Sequence, residues 1–335
     1  MRIAVDAMGG DNAPQVVVDA AVSTARQTSL EIILVGPTDR IDPLLKKHGA
    51  IPPNLSVHHA PQFVDMGEHP STALRQKPDS SIAYGIQLVK DGDAQGFVSA
   101  GNTGAVMAFA LHHLGRIPNI ERPCLGAIFP TTAGGPCLIV DVGANADCKP
   151  GYLVQFAWMG SAYLKGTFGI DQPTVGLLNI GGEEGKGNQL AQAAYKLLQE
   201  SGLPFVGNVE AQEVTKGAAQ VVVTDGFSGN IAIKTAEGAG DFIFAEVRKA
   251  LTERLIYKLA AMVLRPALRT VARRLDYSSY GGAPLLGVNG LVIIAHGRSN
   301  TTAIESAILK ARDAAEGNVV EHIKTYTANA TAPAE

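Results

Sequence analysis

This sequence predicts an α/β fold in which a mostly parallel sheet is covered by helices on both faces. Short apolar runs rich in Val and Ile alternate with segments of helical periodicity along almost the whole chain, as in proteins built from strand–helix–strand units. Strands of that composition are buried on both faces of a sheet. With 335 residues, of which 46% are hydrophobic and 18% charged, the chain has ample length for a large core.

The individual elements follow from this periodicity in chain order. Strands are predicted at residues 2–6, 31–35, 55–59, 95–99, 124–129, 136–141, 173–180, 205–209, 219–224 and 290–295. Helices are predicted at residues 15–27, 38–48, 79–91, 103–114, 151–168, 187–201, 229–250 and 299–325. We expect one catalytic unit over residues 1–325 and a disordered tail over residues 326–335.

One region, residues 246–276, interrupts the alternation. Its spacing predicts two helices with a break at Pro266, because proline disrupts a helix interior. Basic residues outnumber acids along this pair, and its middle, LIYKLAAMVL, is apolar on nearly every side. We expect the pair to protrude as a basic helical hairpin.

The net charge, the cysteines and the lengths of the apolar runs argue against a nucleic-acid-binding, a disulfide-linked or a membrane-spanning protein. A net charge of −3 gives the molecule as a whole no attraction for nucleic acid. Three cysteines without a C-x-x-C pair indicate reduced thiols in the cytosol. The chain passes from Met1-Arg2 straight into a strand, so we expect no signal peptide. No apolar run is long enough to span a membrane.

Five glycine-rich turns follow predicted strands. They are DAMGGDNAP at 6–14, SAGNTGA at 99–105, DVGAN at 141–145, NIGGEEGKGN at 179–188 and DGFSGN at 225–230. Ligands of open α/β sheets bind beyond the carboxyl ends of the strands. Glycine allows close backbone approach, and a helix start offers N–H groups to an anion. Any one turn is typical of a simple helix cap, but together they predict a site for phosphate or a phosphorylated ligand.

The spacing does not support several other kinds of site. NIGGEEGKGN lacks the spacing and the magnesium-binding hydroxyl of an ATP-binding P-loop. The adjacent histidine pairs at 58–59 and 112–113 point to different faces and lack the spacing of metal ligands. Cys124 and Cys137 lie in apolar strands, and we expect both of them, and also Cys148, to be packing residues rather than nucleophiles.

Four of these turns, at 6–14, 99–105, 141–145 and 225–230, together with YGGAPLLGVNG at 280–290, resemble the bacterial phosphate acyltransferases. The likeness runs in order from residue 1 to about residue 325. It implies a three-layer α/β/α fold related to phosphotransacetylases and isocitrate-dehydrogenase-like enzymes. It also implies reversible transfer of a long-chain fatty acyl group from the thioester of acyl carrier protein to inorganic phosphate, which gives acyl phosphate for phospholipid synthesis.

The same resemblance implies partners and a location. It implies a homodimer that requires no cofactor and no metal, and that works with acyl carrier protein in the cytoplasm. It further implies transient contact with the inner face of the cell membrane, where the product is handed to a membrane acyltransferase.

A phosphate dianion is already a nucleophile at neutral pH, and a thiolate leaves readily. The site must therefore hold phosphate in line with the thioester carbonyl and stabilise the developing oxyanion. We expect Lys186 to supply a cation, Asn230 to donate a hydrogen bond, and His296 to protonate the departing sulfur. The alternative for His296 is a structural hydrogen bond at the start of the following helix.

The other predicted site residues lie in the glycine-rich turns, where they would bind substrate. They are Asp6, Gly9, Gly10, Asp11, Asn12, Asn102, Thr103, Asn145, Asn179, Asp225 and Ser228. Carboxylates repel phosphate, so we expect the aspartates of these turns to organise the backbone or to orient Lys186 rather than to act as bases. This applies to Asp6, Asp11, Asp141 and Asp225.

The hairpin suits an acidic or a lipid partner. Its basic side chains would steer acyl carrier protein, which is acidic; they include Arg254, Lys258, Arg265 and Arg269. Its apolar side chains would line an acyl groove, pack across a dimer or dip into lipid; they include Leu255, Leu259 and Met262. A solvated helix with partly buried side-chain stems is the alternative.

Three other functions remain open from the sequence. A phosphotransacetylase acting on a short acyl-coenzyme A shares the phosphate chemistry but does not need the hairpin. A dehydrogenase on the related fold would carry clustered acids for Mg²⁺, and no such array accompanies Arg75 or Arg122. A non-catalytic module would use the same turns to sense acyl phosphate.

Overall fold

Strands and helices alternate through the chain, as the sequence predicts. The computed structural model describes residues 1–275 and 281–329. Its strands are β1 (Arg2–Asp6), β2 (Glu31–Gly36), β3 (Leu55–His59), β4 (Gly96–Ser99), β5 (Cys124–Pro130), β6 (Pro136–Val140), β7 (Val175–Asn179), β8 (Phe205–Glu210), β9 (Val221–Val223), β10 (Ala283–Leu286) and β11 (Val292–Ile294). Its helices are α1 (Gln15–Gln27), α2 (Thr38–Lys47), α3 (Pro70–Gln76), α4 (Ser81–Lys90), α5 (Thr103–His113), α6 (Pro150–Phe168), α7 (Gln189–Gln199), α8 (Ala211–Val214), α9 (Gly226–Thr252), α10 (Leu255–Leu275), α11 (Thr301–Glu316) and α12 (Val319–Asn329).

All the strands of the described residues form one sheet, in the order β3-β2-β1-β4-β11-β10-β5-β6-β9-β7-β8. From β3 to β11 the neighbours are parallel, and from β6 to β8 they are parallel again. Between these sets, β10 is antiparallel to both β11 and β5, and β5 is antiparallel to β6. The prediction of a mostly parallel sheet is therefore confirmed. The two parallel sets nevertheless run in opposite directions, so their carboxyl ends lie at opposite edges.

Helices cover both faces of the sheet and complete the three-layer α/β/α arrangement. Successive side chains of a strand point to opposite faces, and accordingly Ile3 and Val5 belong to one buried cluster while Ala4 belongs to another. The first cluster contains residues of α1, α2, α6, α7, α11 and α12. The second contains residues of α3, α4 and α5. The core is thus divided between the two faces.

The helical hairpin forms, but it turns at a different place from the one predicted. α9 and α10 pack against each other, and the chain turns between them at residues 253–254. Pro266 lies inside α10, so the predicted break at Pro266 is wrong. A proline ring holds φ near its helical value, and an exposed helix tolerates the one backbone hydrogen bond that is lost. Of the 27 residues of α9, only Gly226 and Gly229 are buried, so most of this helix stands away from the core.

The last predicted helix is divided into α11 and α12. Gly317 packs so closely on Gly166 that a β-carbon would overlap the Gly166 backbone, and Asn318 has a φ of 49°. A left-handed residue at that point interrupts the helix. α12 then includes residues 326–329, so the predicted disordered tail is wrong for those residues. Residues 330–335 lie outside the described part of the chain.

Candidate active site

A cavity of about 500 Å³ lies over the middle of the sheet, where β11, β10 and β5 are neighbours. Its walls are the turns after β1, β4, β6 and β11 and one face of α9. Its floor is apolar, with Leu125, Ala127 and Phe129 of β5 on the same face of the sheet. The polar lining residues are Asp11, Thr103, Asn230, Lys234, Glu237, His296 and Ser299.

The turns after β1 and β4 are held together by the buried side chain of Asp6. Ser99 Oγ donates a 2.7 Å hydrogen bond to Asp6 Oδ2, and the backbone N–H of Met8 donates to Oδ1 at 3.1 Å. A β-carbon at Gly9 would lie 2.6 Å from both Asp6 Oδ2 and the Gly101 nitrogen, so only glycine fits there. Burial raises the pKa of the Asp6 carboxyl. Asp6 therefore organises two turns, and neither Asp6 nor Gly9 lines the cavity.

A second buried carboxylate, Asp141, organises the turn after β6. Its Oδ1 accepts hydrogen bonds from the N–H groups of Leu125, Gly143 and Ala144 at 3.0 to 3.2 Å. Its Oδ2 accepts from the backbone and the amide of Asn145, at 2.7 and 2.9 Å. Burial raises the pKa of this carboxyl as well. Asn145 Nδ2 also donates to the Pro123 carbonyl at 2.8 Å. Both partners of this amide are therefore within the protein, and Asn145 does not line the cavity.

Three more predicted substrate-binding side chains serve as local caps or ties. Asn102 Oδ1 accepts from the Ala105 N–H, and its Nδ2 donates to the carbonyls of Met66 and Glu68 at 2.8 Å. Asp225 caps α9. Asn179 ties together the ends of its own turn. In the structure two of these side chains therefore cap helices and one ties a turn, and none of the three lines the cavity.

Lys186 lies outside the cavity lining, contrary to the expectation from the sequence. It sits in the turn after β7, three strand positions beyond β5. Its side chain is half exposed, and its Nζ lies 3.9 Å from Glu183 Oε1. The turn after β6, which lines the cavity, belongs to the same parallel set as β7, but β7 lies two strands further from β5. Gly10, Asn12 and Ser228 also lie outside the lining, so Asp11 and Thr103 are the predicted substrate-binding residues that reach the cavity.

His296 reaches the cavity from the loop after β11. Its Nδ1 is 3.1 Å from the backbone nitrogen of Arg298, which is a donor, so Nδ1 acts as the acceptor. The ring hydrogen of the neutral imidazole is therefore on Nε2. In this geometry His296 offers an N–H donor to the cavity. The predicted role as proton donor to sulfur is not favoured, because imidazolium would place a second hydrogen against the Arg298 N–H.

Two helices begin at the cavity and point backbone N–H groups towards it. Thr103 is the first residue of α5, and Ser299 stands next to Asn300, the N-cap of α11. Each N-cap asparagine occupies one N–H group of the first turn, that of Ala105 or that of Ala303. The remaining first-turn N–H groups are available to an anion, which is favoured at a helix N-terminus.

One face of α9 forms the wall opposite these helix starts. Asn230, Lys234 and Glu237 follow one another at intervals of four and three residues, which places them on the same face. Lys234 brings a positive charge to the cavity, as Lys186 was expected to do. Glu237 is half-buried, and burial raises the pKa of its carboxyl despite the opposing effect of His296, Arg298 and Lys234.

Comparisons with known proteins place this arrangement in a family. A family model described as "Fatty acid synthesis protein" matches residues 1–322. A protein of Desulfitobacterium hafniense named phosphate acyltransferase is 48% identical over 336 residues, which covers 100% of both chains. The chain belongs to the phosphate acyltransferase family. The resemblance of its turns to this family is therefore confirmed, and membership makes the chain an acyltransferase.

Solved structures support the fold of this chain. A phosphotransacetylase from Streptococcus pyogenes superimposes with a TM-score of 0.63 and 21% identity, covering 96% of this chain and 94% of that chain. A 4-hydroxythreonine-4-phosphate dehydrogenase from Klebsiella pneumoniae superimposes with a TM-score of 0.58 and 12% identity, covering 94% and 99%. At these identities the likeness concerns the fold alone, and it confirms the predicted phosphotransacetylase-like α/β/α fold.

The helical hairpin carries the predicted surface residues, and none of them lines the cavity. Leu255, Leu259 and Met262 are all exposed, with 75%, 52% and 62% of their surface accessible. Arg254, Lys258 and Arg265 are exposed as well; the side chain of Arg269 lies outside the described residues. Within the described part of the chain, no helix has the length and apolar character needed to cross a membrane.

The three cysteines pack in the core, as the sequence predicts. Cys124 and Cys137 are buried and Cys148 is half-buried. Burial raises the pKa of Cys137 to about 12 and that of Cys148 to about 11. Thiols with such values carry almost no thiolate at neutral pH, so they are poor nucleophiles.

Three residues of the cavity lining are absent from the sites predicted from the sequence: Lys234, Glu237 and Ser299. A signal for two of them was available, because helical spacing from Asn230 places positions four and seven residues further on the same face. No comparable signal pointed to Met66. It reaches the cavity because the Asn102 amide holds the backbone at Met66 and Glu68 against the start of α5.

Proposed function

We propose that this protein transfers a long-chain fatty acyl group from the thioester of acyl carrier protein to inorganic phosphate, and releases acyl phosphate for phospholipid synthesis. One observation carries the proposal: a single cavity combines an apolar floor with a polar rim that contains a lysine and two helix starts. Apolar side chains favour an acyl chain over water. The lysine and the N–H groups favour a phosphate anion.

The reaction proposed for this cavity balances without any further reactant. An oxygen of hydrogen phosphate attacks the thioester carbonyl carbon, a C–O bond forms, and the C–S bond breaks. The proton of hydrogen phosphate ends on the carrier thiol. Lys234 and the N–H groups at the start of α5 hold phosphate, and the Asn230 amide and the His296 Nε2–H stabilise the oxyanion. Fixed donors of this kind act without reorganisation when the charge develops.

The apolar floor is the proposed location of the acyl chain. Ala127 and Phe129 of β5 are half-buried, so their side chains present apolar surface to the cavity. Ile233 adds an apolar contact from α9 on the other side. Each buried methylene of a substrate contributes about 0.8 kcal/mol, so a long chain gains more from this floor than an acetyl group does.

The basic face of the hairpin is the proposed docking surface for acyl carrier protein. Arg254, Lys258 and Arg265 are exposed on or beside α10. Acyl carrier protein is acidic, and complementary charges raise the rate at which two such proteins meet. We place this encounter in the cytoplasm, with transient contact between the hairpin tip and the inner membrane face, where a membrane acyltransferase would take over the product.

A homodimer is proposed on the apolar face of α9. Phe242, Ile243, Phe244 and Val247 are large apolar side chains and all are exposed. Large exposed apolar side chains that lie within two turns of one helix indicate an interaction surface. A second copy of the chain would cover it, and the hairpin tip at Leu255 and Val263 would remain available to lipid.

The proposed function is tested by trapping the product. The purified chain is mixed with long-chain acyl carrier protein and phosphate, and hydroxylamine converts any acyl phosphate into a hydroxamate. We expect hydroxamate that depends on both phosphate and enzyme. Faster turnover of acetyl-coenzyme A than of the long-chain carrier thioester would instead support the phosphotransacetylase alternative. Phosphate-dependent binding without thiol release would support the sensing module.

A further inference from the structure

The cavity lacks an assigned proton donor for the departing sulfur. His296 is tied through Nδ1 to the Arg298 N–H, so its neutral ring presents Nε2–H, which is a hydrogen-bond donor and a very weak acid. Lys234 is needed as a cation beside phosphate. An alkyl thiolate is basic enough that its departure is assisted by a proton.

Glu237 is the remaining acid on the wall of α9 that lines the cavity. Its side chain is half-buried, one helical turn beyond Lys234 on the same face. The titratable groups around it are His296 and Arg298 from the loop after β11, and Lys234 and Asp241 from α9 itself. Asp11, from the turn after β1, lines the same cavity but is exposed. Glu237 therefore combines access to the substrate with shelter from water.

We propose that Glu237, in its protonated form, donates the proton to the carrier thiolate as the C–S bond breaks. The inference rests on the proposed acyl transfer and adds a catalytic residue to it. The electron pair of the C–S bond forms an S–H bond with the Glu237 proton. The Glu237 carboxylate then regains a proton from the acyl hydrogen phosphate, which leaves as the dianion. In the reverse reaction the carboxylate removes the thiol proton.

The environment of Glu237 favours this role. Burial raises the pKa of the carboxyl above its ordinary value, although His296, Arg298 and Lys234 act in the opposite direction. A carboxyl with a raised pKa keeps its proton to higher pH. The forward rate on an alkyl thioester should therefore fall as pH rises through that pKa.

Two thioester substrates with different leaving groups test the proposal. An acyl thioester of an alkyl thiol needs the proton, whereas the thiophenol ester of the same acid releases a weakly basic thiolate that leaves without one. We expect Glu237→Gln to lower turnover of the alkyl thioester by about 10²–10³-fold and that of the thiophenol ester by less than about tenfold. Equal losses on both esters, or no loss on the alkyl ester, would overturn the proposal.

A measurement on the unmodified chain keeps the test independent of the variant's folding. The decline in rate with rising pH should be present with the alkyl thioester and absent with the thiophenol ester; the same decline with both would overturn the proposal.

Glu200→Gln, at an exposed carboxylate outside the cavity, is the matched control and should behave as the unmodified chain. If the unmodified chain forms no acyl phosphate, the proposed function itself fails. If the unmodified chain does form acyl phosphate, but the ratio of the rates on the two esters is the same in Glu237→Gln as in the unmodified chain, only the role of Glu237 fails.

Discussion

Ser99 Oγ lies 2.7 Å from Asp6 Oδ2 in the interior of the protein, and this hydrogen bond joins the turns after β1 and β4. It explains why the first strand ends in a carboxylate followed by two glycines. The carboxylate binds the neighbouring turn, and Gly9 leaves room for that contact. Asp141 repeats the arrangement at the turn after β6, with backbone N–H groups as partners. The walls of the cavity are thus built on two buried aspartates that do not line it.

Removing the Ser99 hydroxyl should destabilise the protein. In Ser99→Ala, one oxygen of the buried Asp6 carboxylate and the Gly101 N–H lose their partner. We expect the free energy of unfolding to fall by about 1–3 kcal/mol, measured by urea denaturation. Ser56→Ala, on the exposed side of β3, should change it by less than about 0.5 kcal/mol. Equal effects of the two substitutions would contradict the role assigned to Asp6.

Asn102 should contribute more to stability than an ordinary helix cap. Asn102→Ala removes the cap of α5 and also the two hydrogen bonds to the carbonyls of Met66 and Glu68. Asn188→Ala removes only the cap of α7 and should cost about 1 kcal/mol. We expect Asn102→Ala to lower the free energy of unfolding by at least about 1 kcal/mol more than Asn188→Ala does, as measured by urea denaturation. Indistinguishable losses would mean that the segment at residues 66–68 is held by other contacts.

A comparison of two lysines decides between the assignments made from sequence and from structure. Lys234 lines the cavity, whereas Lys186 does not. Lys234→Ala should raise the KM for phosphate by about 10–100-fold, the equivalent of losing a hydrogen bond to a charged group. Lys186→Ala should change it by less than about twofold. If Lys186→Ala raised the KM for phosphate more than Lys234→Ala does in steady-state kinetics, Lys186 in the turn after β7 would be the catalytic cation.

His296 should act as a hydrogen-bond donor rather than as an acid. His296→Ala removes the Nε2–H and should lower kcat by about 10²–10³-fold, as for the loss of one oxyanion donor. His296→Gln supplies an amide N–H near the same place and should recover at least about a tenth of the original rate. Equal inactivity of the two variants, with unchanged melting temperatures, would indicate that the imidazole must transfer a proton.

Charge reversal on the hairpin should weaken docking of the carrier without changing the chemistry. In the double variant Arg254→Glu with Lys258→Glu, we expect the KM for acyl carrier protein to rise about tenfold and to lose most of its dependence on salt. Turnover of a small acyl thioester should stay the same, because neither residue lines the cavity. Lys46→Glu with Lys47→Glu, on the exposed side of α2, is the control. An equal rise in KM in the control would argue against a specific docking face.

Much of the fold was predictable because its signals are local. The apolar runs that became β1 and β2 and the amphipathic α1 lie within one or two residues of the predicted bounds. The relative direction of the two halves was not predictable from such signals. It is set by three antiparallel pairings, β11 with β10, β10 with β5 and β5 with β6. Of these strands, β10 has four residues between glycines and is too short for periodicity to reveal. Strand direction is set by packing and connection, not by composition.

The candidate site was only partly predictable for a different physical reason. Asparagine and aspartate after a strand can bind a ligand or cap a helix, and the sequence does not distinguish these uses. In this protein Asn102 and Asn145 bind the backbone, whereas Asn230 lines the cavity. Lys234 and Glu237 became site residues because α9 begins at one edge of the sheet and crosses towards the loop after β11, a path that only the three-dimensional arrangement reveals.

The central claim is that phosphate attacks the acyl thioester in this cavity. Its most direct test uses phosphate labelled with ¹⁸O at every oxygen, long-chain acyl carrier protein and the unmodified chain, followed by mass spectrometry of the acyl phosphate. Direct attack predicts a product that retains every labelled oxygen, including the oxygen that bridges carbon and phosphorus. An acyl phosphate with an unlabelled bridging oxygen, or no acyl phosphate at all, would contradict the account.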